Sequence, residues 1–367
     1  MYRMNFIYRI FFALFCTALV ACTSQKECDS IVPMGVFLPS HSDPVLAEEI
    51  KNAVQLAVLD VNESEQKMKG KRLVAIFKSD STDMFSTCRD LRVFLASGNI
   101  KIFHLALDNQ VIPEHKFLNS LNGVFINYMC KYPPITVLNK NSVRIFINGA
   151  QECELMASAI DKGELSEGVD TKIVMLKSDD FVGKSCGDYL YFHIDGRDRK
   201  VYSDVYTRNE ADFSVFAEQI ERLAPEYFFA YTYGTENGAI LDALKNYNFK
   251  GVFVSNCAYY ESAKREDYSL PCKFYTVKTA YTLGEGLSEK TRTFKQRYLQ
   301  TCKKQPSFVA AYAYDSVMLS AQAYNASASE GKMRDYFLGK KFEGVSGEIT
   351  FDTAGDTTSQ LKLVRLK

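Results

Sequence analysis

Ser178-Asp179-Asp180-Phe181-Val182-Gly183-Lys184-Ser185 follows an apolar run and opens a helical pattern, so it has the outline of a phosphate-binding loop. The outline fails chemically. A serine stands where the first glycine belongs, and two aspartates would repel a phosphate, so nucleotide chemistry is not expected there. The four histidines, His41, His104, His115 and His193, are scattered and no Cys-x-x-Cys occurs, which argues against a zinc or redox centre. Gly-x-Ser-x-Gly, His-Glu-x-x-His and calcium-loop patterns are absent as well. No enzyme, cofactor or metal site is therefore expected.

The cysteines carry a different chemistry. Arg3 and Arg9, then an apolar run from Ile10 to Val20, fit a signal peptide too short to span a bilayer. Leu19-Val20-Ala21-Cys22 resembles the bacterial lipobox, which implies cleavage after residue 21 and a diacylglycerol on the Cys22 sulfur. Acyl chains hold a protein to a membrane at ~0.8 kcal/mol per buried methylene. Thr23 in place of an aspartate resembles the outer-membrane sorting pattern, so the expected location is the periplasmic side of the envelope. Cys28, Cys88, Cys130, Cys153, Cys186, Cys257, Cys272 and Cys302 then remain, and an even number in an exported chain suggests disulfides among 105 pairings. Cys257 and Cys272 flank a polar loop, Tyr259 to Ser269, whose closure would stabilise by ~3 kcal/mol; they are the expected bridge. For each cysteine the other reading is a buried free thiol.

Length and charge bound the rest. Of 367 residues, about 346 would remain after cleavage, which suits two domains. Forty-four basic residues balance 44 acidic ones, and losing Arg3 and Arg9 leaves about −2, so nucleic acid is not an expected partner. After a polar tether over 22–30, apolar runs alternate with amphipathic ones. A strand at Ile31 to Leu38, a helix from Leu46 to Val61 with Asn62 suited to cap its end, a strand at Leu73 to Phe77 and a helix after Asp80 give the βαβ rhythm of a parallel sheet. Strands at Ile100 to Leu107, Gly123 to Tyr128 and Val143 to Ile147 complete it. The same plan restarts beyond Asn148, with a helix from Gln151, strands at Lys172 to Leu176, Arg199 to Tyr206, Tyr227 to Tyr231 and Gly251 to Ser255, and a helix from about Gly183. Helices at Ser288 to Cys302 and Ser307 to Tyr324 are expected to return to the first half. Phe342 to Asp352 and Gln360 to Leu366 read as extended strands.

The order of these residues resembles the type I periplasmic binding proteins, the leucine/isoleucine/valine-binding class of receptors that serve ABC transporters. Its anchors are Val36-Phe37-Leu38-Pro39 with Glu49 to Ala57, Asp212-Phe213-Ser214, Ala310 to Val317, Gly344-Val345-Ser346-Gly347, Phe351-Asp352 and Gly355-Asp356. The resemblance implies an α/β fold of two doubly wound, Rossmann-like lobes joined by three hinge crossings: 31–148 with about 279–340, and 149–278 with about 341–367. It implies a ligand between the lobes, beyond the carboxyl ends of the strands. The matching loop positions are Ser40, Asp108, Asn109, Phe181, Tyr233, Glu236 and Asn256. Where amino-acid-binding members place an acid for the ligand ammonium this chain has Asn256, which leaves Asp108 or Glu236 to supply that charge. The expected function is capture of a small polar solute, an amino acid or related amide or organic acid, for an ABC transporter permease. The alternative is a regulatory or structural lipoprotein that binds a partner protein through the same fold.

Overall fold

The computed structural model describes residues 30–366 apart from 65–67, 98–99, 107–111, 164–170, 196–198, 208–211, 234–235, 258–271, 285–287, 328–331 and 359–360. The expected signal peptide, Cys22 as the expected lipid site, Asp108 and Asn109 lie outside the described residues.

Five short apolar runs make the first sheet: β1 (Ile31–Leu38), β2 (Arg72–Ser79), β3 (Ile102–Leu105), β4 (Val124–Asn127) and β5 (Ser142–Arg144). They are parallel and ordered β2-β1-β3-β4-β5. The second sheet takes β6 (Thr171–Ser178), β7 (Arg199–Tyr206), β8 (Tyr227–Tyr231), β9 (Val252–Ser255) and β10 (Lys273–Thr279), again parallel. Near-continuous hydrophobicity in these strands follows from cover on both faces. Ile173 and Met175 enter one core cluster while Val174 and Leu176 enter another, the period of two expected across a sheet. Phe228, Phe253 and Phe274 share one register across β8, β9 and β10 and stack with ring centroids 5.1 and 4.8 Å apart.

Helices cover both faces of each sheet. In the first, Pro44–Glu63 and Phe308–Ala326 pack on one side and Met84–Leu95 on the other. Asp43 caps the first of these by accepting from the Leu46 amide at 3.0 Å. Asn62 does not cap its end. Its side chain accepts from the Leu73 amide at 2.8 Å and donates to the Leu73 carbonyl at 2.9 Å, adding a strand-like pair to the edge of β2, and Ser64 is the cap.

The tail divides. β11 (Lys341–Glu343), β12 (Glu348–Phe351) and β13 (Thr357–Thr358) form a small antiparallel sheet, and only β14 (Leu361–Arg365) joins the second sheet, antiparallel to β10. The small sheet is bound to residues of the first half. Asp356 accepts from Arg144 Nε and Nη2 at 2.7 and 2.8 Å, and Asp315 accepts from the Val345 and Ser346 amides at 2.8 Å each. The chain thus passes between the two large sheets three times: after β5, after β10 and between β13 and β14. At the first passage Phe146 stacks on Phe308 at 5.9 Å and meets the edge of Tyr312 at 5.2 Å, so the largest apolar cluster runs unbroken from one sheet to the other.

The expected Cys257–Cys272 bridge is not present; both are free, buried thiols. Parallel pairing explains this. Lys273 stands opposite Val252, so Cys272 lies at the amino end of the strands and Cys257 beyond their carboxyl end. Six residues of extended chain separate the two levels by ~20 Å, whereas a disulfide requires Cα atoms within about 7 Å. A crossover, unlike a hairpin, returns the chain to the far end of the sheet.

Candidate cleft between two sheet edges

In an open parallel sheet the crevice that can hold a ligand forms where neighbouring crossovers leave on opposite faces, past the carboxyl ends of the strands. The first sheet has that point between β1 and β3, and the second between β6 and β8. Of the expected ligand positions, Ser40 lies just past β1 and Phe181 and Tyr233 lie just past β6 and β8.

Asp180 organises the second edge. Its carboxylate accepts from the Gly183 amide at 2.8 Å, from the Ser178 hydroxyl at 2.9 Å and from the Tyr233 hydroxyl at 2.7 Å. It is therefore the N-cap of Phe181–Ile194, and the helix starts two residues before Gly183. A side chain at Gly183 would strike the Ser178 backbone, so only glycine lets this turn close onto the end of β6. Phe181 projects from the first turn with 45 % of its surface exposed. The Tyr233 amide donates to the Tyr206 hydroxyl at 3.2 Å, which ties β8 to β7 at the same edge.

Glu236 and Asn256 occupy different surroundings. Both are buried, and the Asn256 amide donates to the Thr232 carbonyl at 2.8 Å while the Thr276 hydroxyl donates to the Asn256 carbonyl at 3.2 Å. Asn256 is thus a strut joining the ends of β8, β9 and β10. On the first sheet the Ser40 hydroxyl accepts from Ser79 at 2.9 Å, linking β1 to β2.

One cluster was missed in the sequence. Lys131, just past β4, donates to Glu152 Oε2 at 2.7 Å and contacts Cys257 Sγ at 3.2 Å. Glu152, on the helix Gly149–Ala157, also accepts from the Tyr231 hydroxyl at 3.0 Å and from the Cys257 amide at 2.7 Å. Burial alone would raise the Glu152 pKa, but the Lys131 ammonium outweighs it and holds the carboxyl below its usual range. Burial alone would likewise lower Lys131, yet its acidic neighbours keep it above the ordinary lysine value. Burial pushes the Cys257 thiol up, so Glu152 supplies the countercharge. The cluster brings a residue past the end of β4 against the last residue of β8 and a residue past the end of β9. The carboxyl edges of the two sheets therefore face each other across it.

Behind the cluster Arg144 is buried. It makes a two-pronged ion pair with Asp356 at 2.7 and 2.8 Å and donates to the carbonyls of Cys130, Tyr132 and Pro133 at 3.3, 2.9 and 2.7 Å. The loop that carries Lys131 is held from below by this one guanidinium. Among the described residues no group of three or more histidine, cysteine or acidic side chains is placed to hold a metal, and no helix is long and apolar enough to cross a membrane.

Three comparisons bear on this geometry. A family model described as periplasmic binding protein matches residues 150–367. No curated protein matches. Among solved structures, the ABC transporter substrate-binding protein of Desulfitobacterium hafniense in complex with leucine is 17 % identical, with a TM-score of 0.72 over 92 % of this chain and 98 % of that one. A solute binding protein of an ABC transporter from Rhodopseudomonas palustris, in complex with 3,4-dihydroxybenzoic acid, is 16 % identical, with a TM-score of 0.77 over 92 % and 93 %. A branched-chain amino acid transporter substrate binding protein from Streptococcus pneumoniae, in complex with isoleucine, is 16 % identical, with a TM-score of 0.74 over 91 % and 99 %. At these identities the likeness is one of fold.

Proposed function

Since the chain belongs to the periplasmic binding protein family, we propose that it captures a small polar solute between its two lobes and delivers it to an ABC transporter. The observation that carries this reading is the facing of two carboxyl edges, each at a topological switch point, with Ser40 on one and Phe181, Asp180 and Tyr233 on the other. The lobes are 31–148 with about 279–358, and 149–278 with 361–366. The candidate ligands are amino acids, their amides and organic acids, aromatic acids included. Export by the signal peptide and anchoring through lipid on Cys22 would set the protein on the periplasmic side of the envelope, at the outer membrane by the Thr23 pattern.

A second reading has one observation in its favour. The hydroxyl of Tyr233 and the amide of Asn256 are already engaged within the protein, as they would be in a cleft that serves as a surface for a partner protein. One experiment separates the two. The chain beginning at Thr23 is melted in the presence of amino acids, amides and aromatic or aliphatic acids. A ligand at a hundredfold its Kd adds ~2.7 kcal/mol to stability and raises the melting temperature by a few degrees. Melting unchanged by every compound would reject solute capture in favour of the partner surface.

A further inference from the structure

We propose that Cys153 and Cys186 close into a disulfide when this chain folds in an oxidising compartment. The inference rests on the export reading for its setting and on geometry for the choice of pair. Cys153 lies on the helix Gly149–Ala157 and Cys186 on the helix Phe181–Ile194, and both are fully buried. The Cys153 thiol donates to the Cys186 carbonyl at 3.1 Å. The helices meet this closely because Gly149, one turn before Cys153, has no side chain; a Cβ there would strike the Cys186 sulfur.

The other described cysteines are placed elsewhere. Cys257 has its sulfur against Lys131, Cys130 and Cys272 belong to clusters on other faces of the sheets, Cys88 lies beside Glu114, and Cys302 beside Tyr298.

The reaction is a thiol–disulfide exchange. Two S–H bonds break and one S–S bond forms; two electrons reduce an external disulfide, whose sulfurs leave as two thiols carrying the two protons. The attacking species is a thiolate, and in the folded protein burial pushes the Cys153 thiol well up. Exchange therefore belongs to folding, before the two helices pack, and the same burial afterwards shields the bond from reductants. Once formed, it would fasten the helix capped by Asp180, and so the Phe181 rim of the cleft, to the first helix beyond the crossing.

The test refolds the reduced, unfolded chain beginning at Thr23 in oxidised and reduced glutathione, then unfolds and alkylates it for peptide mapping. A parallel sample is recovered after expression of the full chain with its leader. The expected result is a peptide pair linking Cys153 to Cys186 in both samples, with the oxidised protein melting about 5 °C above its reduced form. Alkylation of both cysteines in the glutathione-refolded protein, or a link from either to a third cysteine, overturns the proposal. The Cys153–Cys186 link in the refolded sample but not in the expressed one, with the leader still attached, upholds the pairing and rejects the export reading.

Discussion

At the first crossing Arg144 and Asp356, and beside them Lys131 and Glu152, are charged groups taken almost wholly out of water, whereas at the cleft rim Tyr233 meets Asp180 and Ser40 meets Ser79 through hydroxyls near the surface. A buried ion pair is costly to assemble and far costlier to break singly. The Ser40–Ser79 bond joins two neutral hydroxyls and costs about 1 kcal/mol to lose, and the Tyr233–Asp180 bond, made to a carboxylate, about 1.5–3 kcal/mol. The crossing is thus built to hold one geometry, and the rim is where a bond is cheapest to give up.

The largest way to break this contrast is Asp356→Ala, which strands a buried guanidinium and should cost about 3–5 kcal/mol in denaturant unfolding. Lys131→Met should cost ~3 kcal/mol by leaving Glu152 unpaired, and adding Glu152→Gln should return more than half of that loss. Equal losses in the single and double variants would mean that the cluster is not a coupled unit.

Acid should act on two other buried groups with opposite sign. Burial lowers His104 from 6.5 to about 3, so its contribution is complete above pH 6.5 and falls as pH drops below that. Burial raises Asp315 from 3.8 to about 6, despite hydrogen bonds from Val345 and Ser346, so its contribution is complete below pH 3.8 and is lost as pH rises through 6. Between about pH 4 and 6 the two slopes, each near 1.4 kcal/mol per pH unit, nearly cancel. In His104→Gln stability should rise on acidification across that window, and in Asp315→Asn it should fall, as read by chemical melts at each pH.

The smallest effect on stability belongs to the rim. Tyr233→Phe should cost about 1.5–2 kcal/mol, since the lost bond goes to the Asp180 carboxylate near the surface, while weakening the solute found by melting about tenfold. A stability loss as large as that of Asp356→Ala would place Tyr233 in the frame of the lobe.

The fold was legible because parallel strands announce themselves as short apolar runs, and β1 and β7 have the limits expected of them. The crossing was not. Arg144 and Asp356 are 212 positions apart and Lys131 and Glu152 are 21 apart, and no local pattern marks a lysine after one strand as the partner of a glutamate on a helix beyond the following strand. Asn62 misled because an amide at a helix end can also pair with a neighbouring strand, and Cys257 and Cys272 misled because flanking one polar loop does not place them at the same end of the sheet. Loop positions at the rim were easier. Tyr233 and Phe181 follow strands at a switch point, which the strand pattern locates once the sheet order is known.

The helix Phe308–Ala326 packs on the first sheet, with Ser316 and Ser320 bonded to His104 of β3 at 2.9 and 3.0 Å and Tyr314 bonded to Asp60. These partners are more than 200 residues apart, and the whole second sheet of parallel strands is synthesised between them. While the chain emerges, that face of the first sheet has only the helix Pro44–Glu63 to cover it until residue 326 has been added, so the first lobe stays incomplete while the second is being made. Contacts of such high order slow folding and prolong the life of an aggregation-prone species, which gives a holding chaperone a defined surface to shield.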